Sequence, residues 1–151
     1  MTTTKTLLAA GLLAGFSSAA LAVTEVSWWH AMGGVNGERV NKIAADFNKS
    51  QSDYKVVPVY KGNYTETMTA AIAAFRARKQ PHIVQVFEVG TATMMSAKGA
   101  IYPIEKLMKE AGEPFDRSAF LPAVISYYTT PEGELLVGEY ATGRLLLVRG
   151  T

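Results

Sequence analysis

The chain has 151 residues, with 15 Lys and Arg against 13 Asp and Glu, two histidines and no cysteine. A chain so close to neutral lacks the massed cations that binding to a phosphate backbone requires, which argues against nucleic acid as a partner. Without cysteine there is no disulfide framework, so the fold must rest on a hydrophobic core, and a chain of this size buries roughly two-thirds of its unfolded surface in a single domain.

Lys5 precedes an uninterrupted apolar or small run from Leu7 to Phe16, followed by Ser17, Ser18 and the small-residue site Ala20-Leu21-Ala22. That is the layout of a secretory signal peptide over residues 1–22, and it predicts an exported protein beginning at Val23. A membrane span needs about 20 predominantly apolar residues, more than this run offers. Removing Lys5 from the 15 basic residues leaves 14 against 13 acidic ones, so the mature chain is almost uncharged overall.

Val23 to Trp29 is rich in β-branched and aromatic residues and is broken by His30-Ala31-Met32-Gly33-Gly34, which predicts a strand and then a turn. Val40, Ile43, Ala44 and Phe47 follow at the i, i+3, i+4, i+7 spacing of one buried helical face. This amphipathic helix ends near Lys49. Tyr54 to Tyr60 is a second strand, and Pro58, which cannot donate to a ladder, places it at the edge of the sheet. Asn63 and Glu66 form an Asn variant of the capping box, and Met68, Ala71, Ile72 and Phe75 repeat the helical spacing behind it. Arg76, Arg78 and Lys79 then meet the negative end of that helix. His82 to Val89, nearly continuous in apolar residues apart from Gln85 and Glu88, is a third strand covered on both faces. Strands alternating with helices imply an α/β fold with a mainly parallel sheet flanked by helices.

Gly90 opens a turn into a helix over residues 91–98, ended by Gly99, and Glu105 to Ala111 is a further short helix closed by Gly112. Beyond Phe115 the pattern predicts helix over 118–126 around Pro122, strands at 127–129 and 134–137, and a turn at Pro131-Glu132-Gly133.

In an open α/β sheet, ligands bind outside the carboxyl ends of the strands. This singles out Trp28, Trp29 and His30 after the first strand, Tyr60 to Tyr64 after the second, and Glu88 and Gly90 after the third. Tyr64 offers an apolar ring face and a hydroxyl that both donates and accepts. A carboxylate at Glu88 must find donors or stay in water, and the vicinal hydroxyls of a polyol would supply them. Pairing with a lysine, or capping the next helix, is the alternative for Glu88. Strand alternation sends one of Trp28 and Trp29 into the core and the other to the opposite face. His30 either touches ligand or satisfies backbone groups, and Met94 and Met95 serve as core filler.

Catalytic and metal constellations are missing. Two histidines and no cysteine do not supply the usual zinc sets. There is no GxSxG elbow and no phosphate loop of the GxxxxGK[ST] type, and Gly33-Gly34 with Gly37 lacks the GxGxxG spacing. The expectation is a binding protein and not an enzyme, with no catalytic residues, no metal and no cofactor. A secreted enzyme or an interaction domain is the alternative from another class.

The strings SWWHAMGG, DYKVVPVYKGNY, AAIAAFR, IVQVFEVGTATMM and KEAGEPFDRSAFLPAVISYY resemble the amino-terminal lobe of the periplasmic sn-glycerol-3-phosphate-binding proteins of ABC transporters, within the family-1 extracellular solute-binding proteins. YKGNY with QVFEVGTATMM is the most specific part, and the resemblance runs from Val23 to about Leu136. It implies a periplasmic-binding-protein-like class II lobe over residues 23–137, periplasmic and monomeric. It also implies capture of sn-glycerol-3-phosphate, or of glycerophosphodiesters, for delivery to the permease subunits of the inner membrane. A relative tuned to a sugar or another polyol is the alternative. By motif, the ligand-binding residues carried over are Tyr64, which ends KGNY, and Glu88, the acid of EVGTATMM. Because a carboxylate repels phosphate, Glu88 should face the glycerol hydroxyls, leaving the phosphate to hydroxyls, backbone N–H groups or arginine.

The resemblance stops abruptly near Val137. The family continues into a proline-phenylalanine-asparagine-serine-serine-threonine-proline string that supplies a ligand serine, whereas here Leu136 is followed by VGEYATGRLLLVRGT and the serine position falls at Gly143. The expectation is that residues 138–151 are a divergent tail, that the second lobe is missing, and that a frameshift or premature stop near Val137 leaves a fragment binding glycerol-3-phosphate weakly or not at all.

Overall fold

The computed structural model describes residues 23–97, 99–135, 137–140 and 143–147. The leader expected over residues 1–22 lies outside the described residues. Strand β1 (Thr24–His30) leads through helix α1 (Gly34–Ser50) to β2 (Tyr54–Tyr60), and α2 (Tyr64–Arg76) returns the chain to β3 (Ile83–Val86). β1 pairs in parallel with β2 on one side and with β3 on the other. The first crossover moves outward and the second passes back over β1, so two right-handed connections place α1 and α2 on opposite faces of the sheet.

After β3 come α3 (Glu88–Met95), α4 (Ile104–Ala111), a 3-10 turn at Arg117–Ala119 and α5 (Pro122–Tyr127). Strands β4 (Val137–Tyr140) and β5 (Gly143–Leu147) then complete a five-stranded sheet of order β2-β1-β3-β5-β4, with β5 antiparallel to both β3 and β4. The sheet is thus parallel in the half built by the two crossovers and antiparallel in the half built by the hairpin. β2 is the edge strand that Pro58 requires. Most of the hairpin falls in residues 138–151, so the described part of that tail is built into the sheet.

The two faces bury unlike amounts. Ala71 of α2, Val84 and Val86 of β3 and Met94 of α3 join Ala100, Ile101, Tyr128 and Leu135 in the larger core. On the α1 face the cluster is Trp28, Met32 and Val40. Trp28 and Trp29 divide between the faces as alternation demands, Trp28 within the smaller cluster and Trp29 against the larger one. The α1 stripe is only partly buried, however: Val40 and Ala44 are covered, while Ile43 and Phe47 remain 36% and 44% exposed. α1 packs on β2, the edge strand, so the outer part of its apolar stripe overhangs the sheet.

Other boundaries also differ from the sequence pattern. β3 ends at Val86, Phe87 is the extended residue that caps α3, and the helix starts at Glu88, three residues earlier than expected. A continuous apolar run carries no period, so the switch from strand to helix inside it leaves no mark. Gly90 consequently lies within α3 and does not open a turn. A Cβ there would come within 2.8 Å of both the Met68 sulfur and the Phe87 ring, so glycine is what lets α3 approach α2. Of the strand expected at 127–129, Tyr127 ends α5, which has Pro122 in its first turn, Tyr128 caps that helix, and Thr129 makes an isolated bridge to Leu135. Arg117 ties this region together by pairing with Glu105 of α4 and donating to the Gly133 carbonyl at 2.8 Å.

Candidate functional site

The carboxyl edge of the parallel strands is where the sequence places the ligand, and its walls follow from local physics. At the end of β2 the chain must turn sharply into α2. The capping box makes that turn: Glu66 N–H donates to the Asn63 side chain at 3.0 Å, and Asn63 N–H donates to the Glu66 carboxylate at 2.7 Å. Gly62 has φ +88°, and a Cβ there would collide with the Glu66 carboxylate. The string Gly62-Asn63-Tyr64 is therefore a single device, in which the glycine admits the box and the box fixes the first residue of the helix.

That first residue is Tyr64. It is half-buried, its ring centroid lies 5.6 Å from that of Phe87, and it packs against the Trp28, Met32 and Val40 cluster on the α1 face although its own helix covers the other face. Tyr64 therefore sits across the rim where the two faces meet. Phe87, against which it rests, is followed by Glu88, the first residue of α3. The structure thus brings Tyr64 to the residue preceding Glu88. Glu88 itself is placed on a helix start and not on a strand end, and its side chain is outside the described residues.

Lys61 and Trp29 form a further part of this rim. Lys61 N–H donates to the His30 carbonyl at 2.9 Å, extending the β1–β2 ladder by one bond, and the Lys61 ammonium lies 4.0 Å from the centroid of the Trp29 ring. A cation held over an aromatic face keeps its charge, and among the described residues no carboxylate pairs with it. His30, weighed as a ligand contact or a backbone partner, is buried, and its Nδ1 accepts the Met32 N–H at 3.3 Å. Burial holds its imidazole below the ordinary histidine pKa. Met94 is core, as expected.

Sequence reasoning missed Gln85. Its side chain is buried on β3 and accepts the Ala31 N–H at 3.0 Å, so one of the polar interruptions in an apolar strand is explained by a backbone group that the ladder leaves unserved. A cavity of about 260 Å³ lies between α2 and the end of α3, lined by Ile72, Phe75, Met94 and Ile101 among others. It lies by the end of α2 opposite to Tyr64, on the apolar face. Among the described residues no group of His, Asp and Glu is arranged to hold a metal ion. No described helix is long and apolar enough to cross a membrane.

No family model matches the chain. Individual relatives do. The sn-glycerol-3-phosphate-binding periplasmic protein of Brucella abortus strain 2308 is 45% identical over 144 residues, covering 95% of this chain and 33% of that protein. The protein of the same description from Yersinia enterocolitica is 53% identical over 133 residues, 87% of this chain and 30% of that protein. The chain belongs to this family of solute-binding proteins. It spans about a third of the length of the curated relatives it matches. The fold agrees. The cyclic alpha-maltosyl-1,6-maltose binding protein from Arthrobacter globiformis superposes with a TM-score of 0.64 at 20% identity, over 76% of this chain and 28% of that one. The galacto-N-biose-/lacto-N-biose I-binding protein of the ABC transporter from Bifidobacterium longum gives 0.60 at 16% identity, over 76% and 28%. These structures fix the architecture as the sequence anticipated it, an α/β portion of a solute-binding protein. The relatives are periplasmic binding proteins and not enzymes.

Proposed function

We propose that this chain is the amino-terminal lobe of a periplasmic protein that captures sn-glycerol-3-phosphate and delivers it to the permease of an ABC importer. It acts as a monomer, without catalysis or cofactor, and the leader over residues 1–22 directs its export. Tyr64 and Glu88 contact the glycerol end of the ligand. The observation that carries the reading is the placement of Tyr64, held at the first position of α2 by the capping box and resting on Phe87, next to Glu88, at the carboxyl edge of the sheet. A phenol at this rim and a carboxylate carried by the residue after Phe87 suit hydroxyl groups, which donate to one and exchange hydrogen bonds with the other.

The phosphate is left to groups that donate or carry positive charge, since beside Glu88 it would meet repulsion. Lys61 contributes positive potential at the same rim. Delivery of this kind works by closure of two lobes over the ligand, which buries it and presents the closed form to the membrane partner. The test is calorimetric titration of the full-length protein, the two-lobed form in which this chain is the amino-terminal lobe, with sn-glycerol-3-phosphate, glycerophosphocholine, glycerol, inorganic phosphate and maltose. Saturable binding of the first, with or without the second, is expected. Preference for maltose or for another neutral polyol would replace the proposed ligand, and turnover of either phosphoester would overturn the non-enzymatic reading.

A further inference from the structure

We infer that His30 and Gln85 are positioning residues for Tyr64, acting through the turn that joins β1 to α1. The inference rests on the reading of Tyr64 as a ligand contact. The β1–β3 register pairs Trp28 with Ile83 and Trp29 with Val84, so one further alternation sets His30 beside Gln85, on the face that carries Trp28. Both side chains are nearly excluded from solvent, His30 at 2% and Gln85 at 4% exposure. Burying such groups without partners would cost roughly 1–3 kcal/mol each, so the partners they have indicate what they are for.

Those partners are consecutive. Gln85 Oε1 accepts the N–H of Ala31 at 3.0 Å and His30 Nδ1 accepts the N–H of Met32 at 3.3 Å. Both are backbone donors just past the end of β1. An Nδ1 that accepts puts the proton of the neutral ring on Nε2. The ring is further confined by Trp28 and Tyr60, each with its centroid 6.0 Å away. Two successive peptide N–H groups, those of Ala31 and Met32, are therefore anchored as the chain leaves the strand. The Met32 side chain then enters the cluster with Trp28 and Val40, the surface on which Tyr64 packs. The two buried polar groups thus reach the ligand wall through the backbone of the turn and the cluster that Met32 joins. Were the pair merely satisfying a turn, their loss would change stability without regard to Tyr64.

A double-mutant cycle separates the two roles. In the full-length protein carrying methyl-labelled methionine, His30→Leu removes the acceptor and His30→Asn keeps one at the same place. Gln85→Met removes the neighbouring acceptor at similar volume and replaces His30→Leu in the cycle if that variant does not fold. Coupled sites give non-additive losses, here about tenfold in affinity for sn-glycerol-3-phosphate from His30→Leu when Tyr64 is present and under about twofold in a Tyr64→Ala background. The Met32 methyl resonance of the unliganded protein is expected to move in His30→Leu and to return in His30→Asn. Equal losses in both backgrounds, or an unmoved Met32 resonance in His30→Leu, would overturn the positioning role. Failure of the unsubstituted protein to bind the ligand would instead remove the functional reading, and the methyl resonance would still decide whether His30 sets Met32.

Discussion

The two faces of the sheet do different work. On the α2 and α3 face, Val84, Val86, Met94, Ala100, Ile101, Tyr128 and Leu135 pack into one apolar core. On the α1 face the buried cluster is small, its helix leaves Ile43 and Phe47 half open, and two polar side chains are buried at its upper end. Stability therefore resides mainly on the first face, while the second supports the rim where Tyr64 sits. Burying apolar area stabilises in proportion to that area, and a thin layer spends more of its contacts on placing groups than on holding the fold.

Substitutions should divide along the same line. Leu135, 1% exposed within the larger core, is the heaviest test: Leu135→Ala should destabilise by about 3 kcal/mol in urea melts, as large-to-small changes in close-packed cores do. Gly90→Ala should follow at about 2 kcal/mol by the same measurement, because overpacking forces Phe87 or Met68 aside, and it should also weaken ligand binding through the displaced Phe87 ring. Asn63→Ala breaks the capping box and should cost about 1 kcal/mol, with Asn63→Asp largely sparing it.

Acid supplies a smaller probe of the α1 face. His30 titrates below its ordinary value in the folded protein, so between that depressed value and about 6.5 the unfolded chain binds the extra proton and the folded one does not. Its contribution is complete above the unfolded value and is lost as pH falls through the folded one. Urea midpoints should thus drop below about pH 6.5 in the parent and lose that segment of the profile in His30→Asn. Phe47→Ala, on the open stripe of α1, should change stability by no more than about 0.5 kcal/mol. A loss at Phe47 comparable to that at Leu135 would mean that the two faces carry equal weight, and the comparison would fail.

What the sequence disclosed follows the same physics. α1 and α2 announce themselves by their 3.6-residue spacing, β2 by its proline at an edge, and the start of α2 by a capping box whose hydrogen bonds are all local. Tyr64 could be placed because the box fixes it. Glu88 could be named but was put on the wrong element, since the apolar run through Val86 and Phe87 has no period to show where strand gives way to helix. Gln85 acquires meaning only across a sequence separation of more than fifty residues, where it meets Ala31, and His30 only once it is buried beside Trp28 and Tyr60. The half-open state of Ile43 and Phe47 depends on α1 lying over an edge strand, a property of strand order and not of the helix. Past Phe115 short elements and prolines overlap, and the helix expected over 118–126 is a 3-10 turn at Arg117–Ala119 followed by α5 at Pro122–Tyr127.

The central claim is that the rim formed by Tyr64, resting on Phe87 beside Glu88, is the wall that reads the ligand. Titration of sn-glycerol-3-phosphate into the full-length protein and its Tyr64→Ala variant, with circular dichroism to show that both are folded, tests it most directly. The account predicts saturable binding by the parent and a loss of about tenfold or more in the variant, the scale expected when a buried contact of about 1.4 kcal/mol or more is removed. Equal affinity in the two folded proteins would contradict it.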